Sequence, residues 1–169
     1  MVAKPTNLSH VRVASTRVIN ISMYSFIATA REFQSAARLV AARERKQKRT
    51  RWRPVGKYLA CLSIEMALKA FLMLKGRSRK KVESYGHDLD KLLRISTGKN
   101  LAEFANLTTS EIAEIEKAAK YYTPEGSVFR YPPVYEIARG YPGDPNITPL
   151  LKAAKKLVDG LYYPIRAAA

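Results

Sequence analysis

Ser63–Leu74 reads SIEMALKAFLML, an apolar run interrupted by two full charges, Glu65 and Lys69. The run begins near Tyr58, and its apolar residues wrap most of a helical circumference, the pattern of a helix surrounded on nearly every side. Pro54 suits a first helical turn and Gly76 after Lys75 a C-terminal stop, so the spacing predicts a helix over about 54–75. At ~1.5 Å per residue it is about 30 Å long, enough to cross a small domain. It is not a membrane span, because each central charge costs roughly 2.5–3.5 kcal/mol on insertion scales. The acid stands four residues before the base, the favourable order for a helical ion pair. Two readings stay open: a partly exposed pair worth little, or a buried pair kept for specificity or function.

Outward from this helix the pattern stays helical. Phe26, Ala30, Phe33, Ala37 and Val40 share a stripe and predict a first helix over about 22–45. A basic loop, RSRKKVESYG, follows the central helix. A third helix opens near His87 or Asp88, with Leu89, Leu92 and Leu93 on one face, and KNLAEF reads as a short helical turn. Thr108, Thr109 or Ser110 caps a fourth, SEIAEIEKAAKYY, with Ile112, Ile115 and Ala119 on its apolar stripe. Residues 123–148 are rich in Pro, Gly and Tyr and read as a long loop, and an amphipathic helix over about 148–163 closes the domain. The expectation is an all-α, up-and-down bundle of about five helices, with 1–22 a lead-in arm, 23–163 one domain and 164–169 a tail.

At 169 residues, such a domain buries a core without staples. The single cysteine excludes an internal disulfide, and with two histidines it cannot build a zinc site alone. Cys61 lies within the apolar run and reads as a small core residue. No metal and no cofactor is expected. The absence of an N-terminal apolar signal region and of a membrane span makes the cytoplasm the expected location.

Charge is the compositional anomaly. The chain carries a net +16, and residues 1–81 hold 19 Lys and Arg against three acids, Glu32, Glu44 and Glu65. Residues 82–169 hold 11 of each sign. A one-sided excess points to a polyanion, of which nucleic acid is the commonest. Two basic segments bracket the central helix: Arg43, Arg45, Lys46, Lys48, Arg49, Arg51 and Arg53 before it, and Arg77, Arg79, Lys80 and Lys81 after it. These are the candidate phosphate contacts. Trp52, Tyr131, Tyr135 and Tyr141 are candidates for stacking on unpaired bases.

The run YLACLSIEMALKAFLMLKG, a basic linker, YGHDLDKLL and then FRYP together resemble the HEPN superfamily of small helical proteins. The resemblance covers roughly residues 23–163 and lies chiefly in the middle block. It implies a helical bundle, commonly a homodimer, acting in RNA-directed toxin–antitoxin, defence or RNA-processing systems, with a nucleotidyltransferase as a possible partner. Many members are metal-independent RNases that use an Arg, four to six residues, then a His. This chain lacks that motif. Its histidines are His10 and His87, Arg79 stands too far before His87, and Arg130 lies where the family's motif falls without a following His.

The expected function is RNA association, of a binding or regulatory kind, through the basic first half. The alternatives are a metal-independent endoribonuclease and an interaction subunit. His87, Glu65, Lys69 and Arg130 are the candidates for catalysis if the chain is an enzyme. A neutral imidazole can take a proton from a ribose 2′-OH while Arg or Lys stabilises the charge that develops on the phosphate. The plainer role for His87 is to cap the third helix and pack beneath the bundle.

Overall fold

A computed structural model describes residues 22–46, 54–122, 128–129 and 143–168. Among them are helices α1 (Met23–Lys46), α2 (Pro54–Leu74), α3 (Arg79–Glu83), α4 (Leu89–Thr97), α5 (Thr109–Ala119) and α6 (Ile147–Ala168), and a 3₁₀ turn at Leu101–Glu103. No described residue lies in a strand, so the all-α bundle expected from the spacing is the fold observed. None of the described helices is long and apolar enough to cross a membrane.

The long helices α1, α2 and α6 make the body. Gly56 near the start of α2 meets Ala41 near the end of α1, and Ser63 donates to the Ala30 carbonyl at 2.8 Å, so the two helices run antiparallel. Lys57 of α2 pairs with Asp144, just before α6, which sets α6 parallel to α2. The short helices α4 and α5 close the remaining side of α2 and α6.

As its composition requires, α2 is central. Ala60, Cys61, Ile64, Ala67, Leu68, Ala70, Phe71 and Leu72 are fully buried. Each of its larger side chains contributes roughly 1.5–3 kcal/mol by leaving water. The helix ends as its Lys-Gly pair predicts, with Gly76 N–H on the Met73 carbonyl and Arg77 N–H on that of Leu72.

Three expectations change. The buried face of α1 is Phe26, Ile27, Ala30, Gln34, Ala37 and Ala41, while Phe33 and Val40 are only half-buried. Both sets have helical spacing, and packing against α2 and α6 selects the one that brings Gln34 inside. Within the expected basic loop, residues 79–83 form a turn of helix, because the Ser78 hydroxyl accepts from Lys81 N–H and Val82 buries completely. The last helix runs on through Pro164 to Ala168, where a tail was expected. Leu157, Leu161 and Ile165 continue one buried stripe at four-residue spacing, and that contact outweighs the proline.

Two polar details fix the short helices. Of the three candidate caps, Thr108 opens α5 in a reciprocal capping box with Glu111. The Glu111 carboxylate also takes Lys156 of α6 at 2.8 Å, tying the two helices together. Gly160, in the middle of α6, faces the Phe104 carbonyl so closely that an added Cβ would lie 1.9 Å from that oxygen. A mid-helix glycine costs about 1 kcal/mol against alanine, and here it permits that approach.

Candidate functional site

The interruption that marks α2 in the sequence is the start of a polar row. Lys57, Cys61, Glu65 and Lys69 follow one another at four-residue spacing and are all buried, so they lie along one face of the central helix. The Glu65 side chain is 0% exposed and that of Lys69 7%, which decides for the buried pair over the exposed seam.

Glu65 is the hub. Its Oε1 accepts from Lys69 Nζ at 2.6 Å. Its Oε2 accepts from the Tyr122 hydroxyl at 2.6 Å and lies 2.9 Å from His87 Nδ1. Three partners on one carboxylate offset a desolvation that would otherwise cost several kcal/mol. Tyr122 follows α5, and its ring stands edge-on to the His87 imidazole at 5.8 Å and beside Tyr58 at 5.7 Å. Three separate pieces of chain thus meet at one carboxylate: α2, the turn before α4, and the segment that follows α5.

Local sequence explains how His87 arrives. Gly86 has φ +57, a left-handed backbone that glycine adopts without strain. It reverses the chain between α3 and α4. Asp88, not His87, then caps α4 by accepting from Lys91 N–H at 3.0 Å, and this frees the imidazole. Glu65 takes up Nδ1, so Nε2 is the ring nitrogen that the carboxylate leaves unengaged. The His87 side chain is 44% exposed, so it spans the buried carboxylate and the solvent.

Two neighbours of Glu65 are held in their protonated forms. Burial, and then the charge and hydrogen bond of Glu65, push the Tyr122 phenol far above its ordinary range, so it remains a donor. Burial and the nearby Glu65 charge likewise push up the Cys61 thiol. That agrees with a packing role and not with a nucleophile. Among the described residues, no three His, Cys, Asp or Glu side chains are grouped to hold a metal.

The structure therefore brings together His87, Glu65 and Lys69. Arg130 lies outside the described residues, as do Lys48, Arg49, Arg51, Arg53, Trp52, Tyr131, Tyr135 and Tyr141. The remaining basic candidates divide as the length of α2 requires. Arg43, Arg45 and Lys46 end α1 beside the start of α2, and Arg77, Arg79, Lys80 and Lys81 follow its far end, about 30 Å away along the helix. Arg79 pairs with Glu83. Lys81 and Lys91 lie over the Tyr85 ring at 5.5 and 5.4 Å, and Tyr85 stands two residues before His87.

Sequence reading missed Tyr122 and Lys57. Tyr122 ends the run SEIAEIEKAAKYY, and nothing in that spacing shows that its hydroxyl is turned to α2. Lys57 was legible as the residue eight before Glu65 in the four-residue row. A second missed cluster lies where α1 begins and α6 ends: Tyr24 and Tyr162 at 6.3 Å, Arg31 over the Tyr162 ring at 4.9 Å, and Tyr163, which is 73% exposed.

No protein-family model, curated protein or solved structure matches the chain.

Proposed function

We propose that the chain is an RNA-associated helical protein of HEPN type, whose basic first half contacts phosphates. The observation that supports this reading is the state of its cations. Arg43, Arg45, Lys46, Arg77, Lys80 and Lys81 carry no ion pair among the described residues, and all are solvent-exposed. Uncompensated charge at both ends of one helix suits an extended polyanion better than a small one. The Tyr24–Arg31–Tyr162 corner adds rings on which unpaired bases can stack. Binding of a fluorescent single-stranded RNA should weaken with a log–log salt slope near −0.7 per phosphate contacted. Replacing Arg77, Lys80 and Lys81 together by Gln should flatten that slope; a wild-type affinity indifferent to salt sinks the reading.

One observation favours a second reading, metal-independent RNA cleavage. A half-exposed histidine held by a buried carboxylate is the arrangement a general base requires. His87 Nε2 takes the 2′-OH proton, the 2′ oxygen attacks phosphorus, and the bond to the 5′ oxygen breaks as that oxygen takes a proton from water, the imidazolium then returning its own proton to solvent. The products are a 2′,3′-cyclic phosphate and a free 5′-OH. Tyr122 and Lys69 act as positioning residues through Glu65. The assay is RNA incubated with the pure protein in EDTA. The expected result is cleavage that His87→Ala abolishes without loss of RNA binding, and cleavage unchanged in that variant overturns the assignment.

A further inference from the structure

The face shared by α1 and α6 carries a groove of about 580 Å³ away from the Glu65 site. Its floor is apolar, with Leu39, Ala42, Ile147 and Leu151, and its rims carry Arg38, Arg45, Lys152 and Lys155. We propose that this groove docks an acidic amphipathic helix of a partner protein.

Shape comes first. Residues 34, 38, 42 and 45 of α1 and 148, 151, 152 and 155 of α6 line the groove at helical spacing. The α1 stripe spans three turns, about 17 Å. Two helices side by side leave a furrow that a third fills by the same ridge-and-groove packing, with apolar residues at i, i+3, i+4 and i+7. Leu39 is 75% exposed, the most exposed large apolar side chain among the described residues, and such a packing would cover it. The Gln34 amide nitrogen in the groove wall is buried without a hydrogen-bond partner among the described residues, and so offers a donor to an occupant's oxygen.

Charge selects the occupant. No acidic side chain is among the described lining residues. Arg38, Arg45 and Lys152 make no ion pair among the described residues, and Lys155 is held by Asp159. A second copy meeting this face with its own would set these cations against themselves. The chain's own remaining segments fit no better: residues 1–21 and 47–53 contain Lys and Arg without an acid, and 123–142 hold two acids against two arginines. Single-stranded RNA would find phosphate contacts on the rims, but no described aromatic residue lines the floor, and bases need rings to stack on. An apolar stripe flanked by Asp or Glu matches both floor and rims. The proposal shares Arg45 with the RNA reading and otherwise rests on different residues.

The test uses the full chain and a fluorescein-labelled helical peptide of about five turns, with Leu facing one side and Glu on both flanks. Two controls accompany it: the same peptide with Lys flanks, and a scrambled isomer of the acidic peptide. Fluorescence anisotropy should show binding of the acidic amphipathic peptide alone. Leu39→Glu and the double variant Arg38→Glu/Lys152→Glu should each weaken it at least about tenfold. Circular dichroism should show both variants folded, since all three side chains are exposed. The proposal is overturned if the acidic peptide fails to bind, if the scrambled isomer binds as well, or if Leu39→Glu leaves affinity unchanged. It is also overturned if single-stranded RNA binding, or a wild-type dimer seen by sedimentation, is what Leu39→Glu abolishes. Failure with intact RNA binding in the Arg77/Lys80/Lys81 assay removes the groove proposal and leaves the RNA reading standing.

Discussion

The Glu65 centre and the α1–α6 groove are both rich in charge, and they treat it oppositely. At Glu65 a buried carboxylate meets an ammonium, a phenol and an imidazole, so its hydrogen-bonding capacity is met from within the protein. Along the groove Arg38, Arg45 and Lys152 stand in solvent, unpaired among the described residues, over an apolar floor. Desolvation forces the first arrangement: a charge inside a bundle is tolerated only with partners close by. Water permits the second, so charge left there without partners is available for something outside the chain. One region is organised around its own atoms, and the other awaits complementary ones.

The largest effect should come from breaking the interior. Glu65→Leu strands the Lys69 ammonium in the core and should cost about 3–5 kcal/mol in urea unfolding. Adding Lys69→Met should recover most of that loss, because the pair is then replaced by apolar volume. If the double variant is as unstable as the single, stability comes from packing around Glu65 and the pair is incidental.

A smaller loss tests whether Tyr122 is a true partner. Tyr122→Phe keeps the ring contact with Tyr58 and removes one hydrogen bond to a charged group, which should cost about 1.5–3 kcal/mol. An unfolding midpoint equal to wild type would show that the hydroxyl contributes nothing to holding the carboxylate.

Acid provides a third test, at the α5–α6 tie. Burial raises the Glu111 carboxyl, but hydrogen bonds from Lys156 and from the Thr108 amide and hydroxyl outweigh it and hold the group below the usual range. A depressed carboxylate stabilises the fold above its unfolded pKa, about 4.3, and that contribution is lost as pH falls through the folded value. Glu111→Gln should therefore narrow its gap to wild type as the solution is acidified below pH ~4. A gap constant with pH would assign the effect to the cap alone.

The smallest effect is expected in the groove. Arg38→Glu touches no partner and should shift stability by less than about 0.5 kcal/mol. Thermal unfolding checks this, and a larger loss would mean that the rim serves the fold.

Much of the architecture could be read without coordinates because it follows from periodicity and punctuation. Pro54 and Gly76 bound α2, the candidates His87 or Asp88 and Thr108, Thr109 or Ser110 mark where α4 and α5 start, and the wrap of apolar residues around 58–74 demands a buried helix. The same logic misplaced the inner face of α1 by one residue, since Phe33 and Gln34 fit helical stripes equally well and only the neighbours choose between them. It also ended α6 at Tyr163, because Pro164 is a local breaker and the buried contact of Ile165 is not a local fact.

By itself the sequence determined that Glu65 and Lys69 share a helical face, that His87 stands near the opening of the next helix, and that the positive charge gathers in the first half. These depend on residue type and on spacing along one strand of chain. Only tertiary structure decided that Oε2 of Glu65 lies 2.9 Å from His87 and 2.6 Å from Tyr122, 22 and 57 residues away. It alone set Gln34 into the wall of a basic groove built with α6. Hydrogen bonds and desolvation act over a few ångströms in space, and the order of residues in a chain records no such distance.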